Sequence, residues 1–163
     1  MQDLLPQAFR LGASLKARGE TIAVAESSAG GLASAALLAA PGASAYFLGG
    51  GVIYTAAARE ALLGITPVHM AGLRPSSPPY AALLARRARE RLGATWAIAE
   101  TGAAGPTGNR YGDPAGHACL AVAGPVELAR TIATGRAGRE RNMRAFAAAL
   151  FDLLEEAVAR ANG

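Results

Sequence analysis

Apolar side chains recur along this chain at two spacings, and each spacing predicts a different kind of element. Leu4, Ala8, Leu11 and Leu15 repeat at helical spacing, which predicts an amphipathic helix over residues 2–18. Further helices are predicted over residues 29–40, 57–63, 67–73, 80–92 and 139–161. Short apolar runs bounded by turn residues predict strands over residues 21–25, 45–55, 94–99, 116–123 and 126–134.

The order of these elements predicts the fold class. Helices alternate with the first three strands, and a hairpin around Gly124 and Pro125 follows. This order is typical of an α/β domain: a three-layer α/β/α sandwich with helices on both faces of a mixed, mostly parallel five-stranded sheet. Residues 1–163 are expected to form this single domain. A glycine triplet at positions 49–51 predicts a bulge in the second strand or the close approach of another backbone.

Composition narrows the class of protein. No apolar run approaches the roughly 20 residues that a membrane span needs, and the N-terminus lacks a signal-peptide pattern. The single cysteine, Cys119, leaves no internal disulfide and suits a reducing compartment, so a cytoplasmic location is expected. Two distant histidines and one thiol form no metal-ligand cluster, so no metal site is predicted.

Two polar, glycine-bearing loops follow predicted strands and supply the first candidate chemistry. The first is AESSAGG, residues 25–31, and the second is AETGAAGPTGN, residues 99–109. Loops at the ends of neighbouring strands build the binding crevice of open α/β sheets, and helix N-termini favour phosphate. The serines also suit helix capping, and neither loop has the spacing of a Walker or dinucleotide fingerprint. The candidate phosphate-binding residues are Glu26, Ser27, Ser28, Gly30, Gly31, Gly102 and Gly105.

Four segments together resemble the C-terminal domain of the CinA family. They are AESSAGG, the segment GASAYF with the following GGVIYT, the loop AETGAAGP, and DPAGHACLAV. The resemblance covers roughly residues 5–157, the length of a stand-alone family domain. It implies a three-layer α/β/α fold, homo-oligomers and no cofactor. It also implies amidohydrolase activity on nicotinamide mononucleotide, which releases ammonia and leaves nicotinic acid mononucleotide for pyridine nucleotide salvage.

The resemblance assigns site residues to positions in this chain. The family's nucleophilic serine falls on Ser44, its site tyrosine on Tyr54, and the hydroxyl of its second glycine loop on Thr101. The arginine that opens the last helix falls on Arg139, and a further family serine falls on Ser77. On this basis Thr101 is expected to face Ser44 across one pocket.

One departure from the family pattern concerns the catalytic base. The family's lysine follows its tyrosine by five positions, where this chain has Arg59, and Lys16 is the only lysine in the sequence. A guanidinium stays protonated at neutral pH, so Arg59 cannot accept a proton from a serine. The expected Ser–Lys pair is therefore absent.

Three functions remain open on the sequence. The first is an amidohydrolase in which Arg59 stabilises charge and another group, such as Tyr54, supplies the base. The second is a nucleotide-binding module that has lost catalysis. The third is a nucleic-acid-associated protein that uses arginines at 86–91 or 136–144, although no aromatic residues interleave them. The first two readings predict a mononucleotide partner, and none predicts a membrane.

Overall fold

The computed structural model describes residues 1–161. Its strands are β1 (Ile22–Glu26), β2 (Phe47–Val52), β3 (Trp96–Ala103), β4 (His117–Ala123) and β5 (Leu128–Ala133). Its α-helices are α1 (Leu5–Arg18), α2 (Leu32–Leu38), α3 (Ala56–Leu63), α4 (Pro78–Leu92) and α5 (Arg139–Arg160). Short 3-10 helices cover Gln2–Leu4, Ala43–Ala45 and Pro67–Met70.

The strands form one mixed sheet in the order β2–β1–β3–β4–β5. β1 runs parallel to both β2 and β3, whereas β3, β4 and β5 form an antiparallel meander. The carboxyl ends of β1, β2 and β3 therefore lie at the same edge of the sheet. Helices cover both faces, which confirms the predicted three-layer α/β/α class.

Alternate residues of each strand belong to two separate cores. Ile22, Val24, Trp96 and Ile98 pack with α1, α2 and α5 on one face. The opposite face of the same strands carries small side chains that pack with α4, namely Ala23, Ala25, Ala97, Ala99, Cys119 and Ala121. This division follows from the two-residue period of a strand. Small side chains on the second face let α4 lie close to the sheet.

The glycine triplet in β2 confirms the predicted irregularity. Ile22 of β1 pairs with Phe47, and Ala23 pairs with Gly49, so Leu48 is an extra residue in β2. This extra residue is a β-bulge. A side chain at Gly50 would meet the Oγ of Ser34 and the carbonyl oxygen of Val24, so the predicted close approach is present as well.

Two predicted boundaries were wrong for identifiable reasons. The second helix begins at Leu32 rather than at residue 29, because Gly30 and Gly31 have φ of 71° and 92° and cannot continue a helix backwards. β3 continues to Ala103 rather than ending at residue 99, because the segment from Glu100 to Ala103 pairs with β4. Half of the second glycine loop is therefore strand. The predicted helix over 67–73 is only the 3-10 turn Pro67–Met70.

Tyr46 connects α1, α2 and the start of β2. Its ring lies against the backbone of Gly12 in α1, and its hydroxyl donates a 2.5 Å hydrogen bond to the carbonyl oxygen of Leu37. Only 1% of Tyr46 is exposed. The absence of a side chain at Gly12 is what allows the ring to pack against the helix at this distance.

No helix within residues 1–161 combines the length and the apolar character needed to cross a membrane.

Candidate functional site

A cavity of about 400 Å³ opens at the carboxyl ends of the three parallel strands. Ser27 follows β1, Ile53 and Tyr54 follow β2, and Thr101 and Gly102 lie near the end of β3. The rest of the lining comes from α3, from the turn before α4 and from the loop after β3, and consists of Thr55, Ala56, Arg59, Pro75, Ser76, Tyr80, Asn109, Arg110 and Tyr111. Ligands of open α/β sheets bind at this edge.

Two buried carboxylates organise the loop beneath the cavity. Glu26 accepts hydrogen bonds from the backbone N–H groups of Gly31, Ala33 and Ser34, at 2.8–3.1 Å, and from the Ser34 hydroxyl. Glu100 accepts hydrogen bonds from the N–H groups of Ser27 and Ala29 and from the Ser28 hydroxyl. Both carboxylates are fully buried. They therefore take up the backbone donors that the sequence analysis assigned to a bound phosphate.

The environment of Glu100 keeps its proton bound to higher pH than usual. Burial raises the pKa of Glu100 from 4.5 to about 7, the donors from Ser28, Ala29 and Ser27 oppose the rise, and the nearby Glu26 adds to it. Glu100 thus supports the loop that carries Ser27 into the cavity.

One wall of the cavity pairs an arginine with an aromatic ring. The Arg59 guanidinium lies 6.0 Å from the centre of the Tyr80 ring, within range of a cation–π interaction. Burial raises the pKa of Tyr80, and a hydrogen bond from Arg59 together with its positive charge partly offsets that rise. The Nε of Arg59 is buried and has no hydrogen-bond partner within residues 1–161. This wall therefore contains one unpaired donor.

The loop after β3 forms the opposite wall and is held by Asp113. The Asp113 carboxylate accepts two hydrogen bonds from Arg74, at 2.6 and 3.2 Å, and one from the side chain of Asn109 at 2.8 Å. These partners, Arg74 first, lower the pKa of Asp113. The guanidinium groups of Arg74 and Arg110 lie 5.8 and 5.3 Å from the centre of the Tyr111 ring. Asp113 therefore fixes a loop that brings a ring and a cation to the cavity.

A family model described as the CinA C-terminal domain matches residues 6–158. The chain belongs to the CinA C-terminal domain family. It is 40% identical over 157 residues to a CinA-like protein of Anaeromyxobacter sp. (strain K), covering 96% of this chain and 38% of that protein. A CinA-like protein of Prochlorococcus marinus (strain MIT 9313) is 49% identical over 113 residues, which cover 68% of this chain and 26% of that protein. The chain thus spans about a quarter to two fifths of these curated relatives.

Solved structures of CinA superfamily proteins share the fold. The competence/damage inducible protein CihA from Agrobacterium tumefaciens has a TM-score of 0.87 and 29% identity, with 94% of both chains covered. A CinA superfamily protein from Klebsiella pneumoniae has a TM-score of 0.89 and 25% identity, with 96% of this chain and 98% of that chain covered. The family resemblance drawn from the sequence motifs is confirmed.

Several residues assigned from the CinA resemblance come together at the cavity. Tyr54, Arg59 and Thr101 line it, as do Ser27 and Gly102 from the predicted glycine loops. Arg139 lies beside it, where its guanidinium donates to the Gly105 carbonyl at 2.7 Å and to the Tyr54 hydroxyl at 3.2 Å. Glu26, Ser28, Gly30, Gly31 and Gly105 lie outside the lining.

Ser44 lies at the other end of the sheet. It is exposed in the 3-10 helix before β2, whereas Tyr54 follows that strand. Phe47, the first residue of β2, and Trp96, the first residue of β3, both pair with Ile22, so the two strands begin at the same level of the sheet. Thr101 lies five residues further along β3 than this level. At about 3.3 Å per residue this separates Ser44 from Thr101 by more than about 15 Å. Within one chain the expected proximity of Ser44 and Thr101 is therefore wrong.

The single lysine is also remote from the cavity. Lys16 lines a small surface depression with Pro41 and Tyr46, and its ammonium lies beside Gly42, two residues before Ser44. Lys16 therefore lies near Ser44 and away from the cavity. The cavity itself contains neither a lysine nor a carboxylate in its lining.

Nine of the fourteen lining residues were not among the candidates drawn from the sequence. These nine include Ser76, Tyr80, Arg110 and Tyr111, and Ser77 was named in place of its neighbour. The Ser77 hydroxyl donates instead to the carbonyl oxygen of Arg74 at 2.6 Å, at the start of α4. The available signals were a serine pair flanked by prolines and an Arg-Tyr pair directly after the glycine loop.

Three of the eight arginines considered for nucleic acid are paired with acids. Arg86 binds Glu127, Arg87 binds Glu90, and Arg144 binds both Glu140 and Asp3. These ion pairs leave less positive charge for a phosphate backbone.

In the part of the chain that the structure describes, no group of three acidic, histidine or cysteine side chains is arranged to hold a metal ion.

Proposed function

We propose that the cavity at the carboxyl ends of β1, β2 and β3 binds a phosphorylated mononucleotide, of which nicotinamide mononucleotide is the expected example. The observation that carries this proposal is the composition of the lining. It combines two guanidinium groups, Arg59 and Arg110, with the rings of Tyr54, Tyr80 and Tyr111 and with no carboxylate. Guanidinium groups bind phosphate, and aromatic rings stack on a base. A volume of about 400 Å³ lies within the range of small-molecule sites.

The exposed end of this cavity suits the phosphate. Arg110 is exposed at the mouth, and exposed Arg139 lies next to it through Tyr54 and Gly105. A strongly hydrated phosphate is best bound where water still reaches it, by cations that need not be dehydrated. Of the three rings in the lining only that of Tyr80 is buried, with 5% of the residue exposed, and this ring is then available to the base.

Calorimetry and thermal shift measurements test the binding proposal. Nicotinamide mononucleotide should raise the melting temperature, because a ligand of the folded state stabilises it. Nicotinamide riboside, which lacks the phosphate, should bind at least about tenfold more weakly. Arg110→Gln should weaken the mononucleotide by a similar factor, and Arg10→Gln on α1 serves as the matched control. Equal binding of the two compounds would contradict the assignment of a phosphate site.

Amide hydrolysis is the second candidate, and an exposed apolar surface favours it. Leu48 and Val52 on the edge strand β2 are each 42% exposed, and Leu62 and Leu92 beside them are 51% and 44% exposed. A second copy of the chain could cover this surface by placing its β2 antiparallel to the β2 of the first copy. The start of each β2 strand would then lie opposite the end of the other. Ser44 of the second copy would then approach the cavity beyond Tyr54.

Mixing two inactive variants distinguishes this arrangement from a single-chain site. Ammonia release from nicotinamide mononucleotide is measured for wild type, Ser44→Ala, Thr101→Val and an equimolar refolded mixture of the two variants. If Ser44 acts across the interface, the mixture regains about a quarter of wild-type activity, since random pairing restores one site in each mixed dimer. A mixture as inactive as its parents contradicts action across the interface. Inactive wild type leaves the chain a binding module.

A further inference from the structure

Two buried polar side-chain atoms in residues 1–161 have no hydrogen-bond partner, and both belong to residues that line the same cavity. They are the Nε of Arg59 and the Oγ of Ser76, and both residues line the cavity although the two atoms are shielded from water. Buried polar groups in native proteins are almost always paired, so two unpaired groups in residues of one lining indicate a ligand group that would satisfy them once it displaces their cover. A guanidinium N–H only donates, whereas a serine hydroxyl both donates and accepts. The missing partner is therefore a hydrogen-bond acceptor.

The backbone holds Ser76 in an unusual conformation. Its φ is 60°, a conformation that a residue with a Cβ rarely adopts. Its carbonyl oxygen accepts hydrogen bonds from His117 Nε2 at 3.2 Å and from the Cys119 thiol at 3.5 Å, and only 3% of the residue is exposed. The backbone of Ser76 is therefore held in the cavity lining, and its buried hydroxyl has no partner of its own.

Arg59 and Arg110 lie at different depths. Arg110 is exposed, whereas Arg59 is half-buried, with its Nε shielded from water and its charge over Tyr80. The exposed arginine was assigned above to the phosphate. Arg59 is then left for the other end of the same ligand. In a pyridine mononucleotide that end carries the substituent on the pyridine ring, an amide or an acid.

The donors and acceptors of the lining favour an acid over an amide at that end. The charged groups in the lining are cationic only. The Asn109 amide nitrogen donates a hydrogen bond to Asp113, and its oxygen accepts hydrogen bonds from two backbone N–H groups. A carboxamide brings two N–H donors that would find only hydroxyl groups and backbone oxygens. A carboxylate brings acceptors alone, and its planar pair of oxygens matches the edge of a guanidinium.

We propose that Arg59 and Ser76 together bind a carboxylate, so that the cavity prefers nicotinic acid mononucleotide to nicotinamide mononucleotide. This inference rests on the proposed mononucleotide site and adds the chemical group that the inner end selects. It also gives a function to the arginine that replaces the family's lysine: a permanent cation binds the carboxylate that an amide hydrolase would release.

Calorimetric titration of both mononucleotides against four proteins tests the preference. Wild type should bind the acid at least about tenfold more tightly than the amide. Arg59→Gln should reduce that ratio to about one, mainly by weakening the acid, and Ser76→Gly should reduce it part of the way. Glycine is chosen at position 76 because it tolerates a positive φ. Arg110→Gln is the matched control, which should weaken both ligands equally and keep the ratio.

The outcomes separate the inference from the proposed function. Equal affinity of wild type for the two mononucleotides would overturn the carboxylate site while the mononucleotide site stands. Arg59→Gln weakening both ligands equally would show that Arg59 binds the phosphate, and would also overturn it. If neither mononucleotide binds the wild-type protein, the proposed function fails and the inference fails with it. Thermal unfolding of each variant verifies that it is folded before titration.

Discussion

Replacing Glu100 by glutamine should stabilise the protein at alkaline pH and change little in acid. Glu100 is fully buried, and its pKa rises from the ordinary value of 4.5 to about 7. Between these two values the unfolded chain has released the proton, whereas the folded chain still holds it. The folded state therefore loses stability as the pH rises through this window, and above about pH 7 the whole loss is present.

The shift sets the size of the expected effect. A rise in pKa from 4.5 to about 7 corresponds to about 3 kcal/mol, which is the most that the ionised carboxyl costs the folded state. Glutamine cannot ionise, and it fits the same partners. Its carbonyl oxygen can accept from the N–H groups of Ser27 and Ala29, and its amide can donate to the Ser28 hydroxyl. At pH 8 the variant should therefore be more stable by up to about 3 kcal/mol.

Urea unfolding between pH 4 and pH 8 measures this difference. Trp96, the only tryptophan, is fully buried and reports unfolding by fluorescence. The control is Glu60→Gln on the exposed part of α3, which removes the same charge without a buried carboxyl. The gap between Glu100→Gln and wild type should widen from pH 4.5 to pH 7 and then stay constant. Parallel profiles, or a variant less stable than wild type at pH 8, would refute this account of Glu100.

Three further substitutions test the packing and the cavity loop. Gly12→Ala should destabilise the protein by about 1–3 kcal/mol in urea unfolding, despite the better helix propensity of alanine, because its Cβ would collide with the buried Tyr46 ring. Tyr46→Phe should cost about 1–3 kcal/mol in the same assay, since the Leu37 carbonyl loses the hydroxyl donor. Asp113→Asn should weaken mononucleotide binding about tenfold at pH 7 by releasing Arg74. The pKa of Asp113 is lowered, so its carboxylate stays ionised to lower pH than an ordinary carboxyl does. Wild type should therefore keep its full affinity for the mononucleotide at pH values above the ordinary pKa of a carboxyl. It should lose that affinity as the pH falls through the lowered pKa of Asp113. An unchanged melting curve for Gly12→Ala or Tyr46→Phe, or a calorimetric titration of Asp113→Asn that matches wild type, would contradict the respective prediction.

The contacts of Arg59 give a structural context to the position that the family resemblance assigned to a lysine. The motif by itself indicated only that a base was missing. Arg59 lines the cavity with its guanidinium over Tyr80 and its buried Nε unpaired, which supports a binding role instead of a proton-transfer role. The proposed site is cationic at both depths, which suits a ligand with two anionic groups.

Local patterns predicted most of the fold. Apolar spacing identified α1, α4 and α5 together with all five strands, since a helix or strand that buries one face must repeat apolar side chains at the matching period. The glycines at positions 49–51 predicted the bulge in β2, because a residue without a side chain tolerates the geometry and the close neighbour. The errors were at boundaries that depend on pairing, such as the four residues by which β3 extends along β4.

The sequence by itself determined the family, the α/β order of elements and the loops that surround a cavity, because short motifs and periodic burial are local properties. Only the tertiary structure decided which of the candidate residues meet. Strand direction and register place Tyr54, Arg59 and Thr101 at one edge of the sheet and send Ser44 to the other, although Ser44 is nearer to Tyr54 in sequence than Thr101 is. The same packing gave Glu26 and Glu100 the backbone donors expected for phosphate. It also brought Ser76 and Arg59 into the lining of one cavity, which no local pattern encodes.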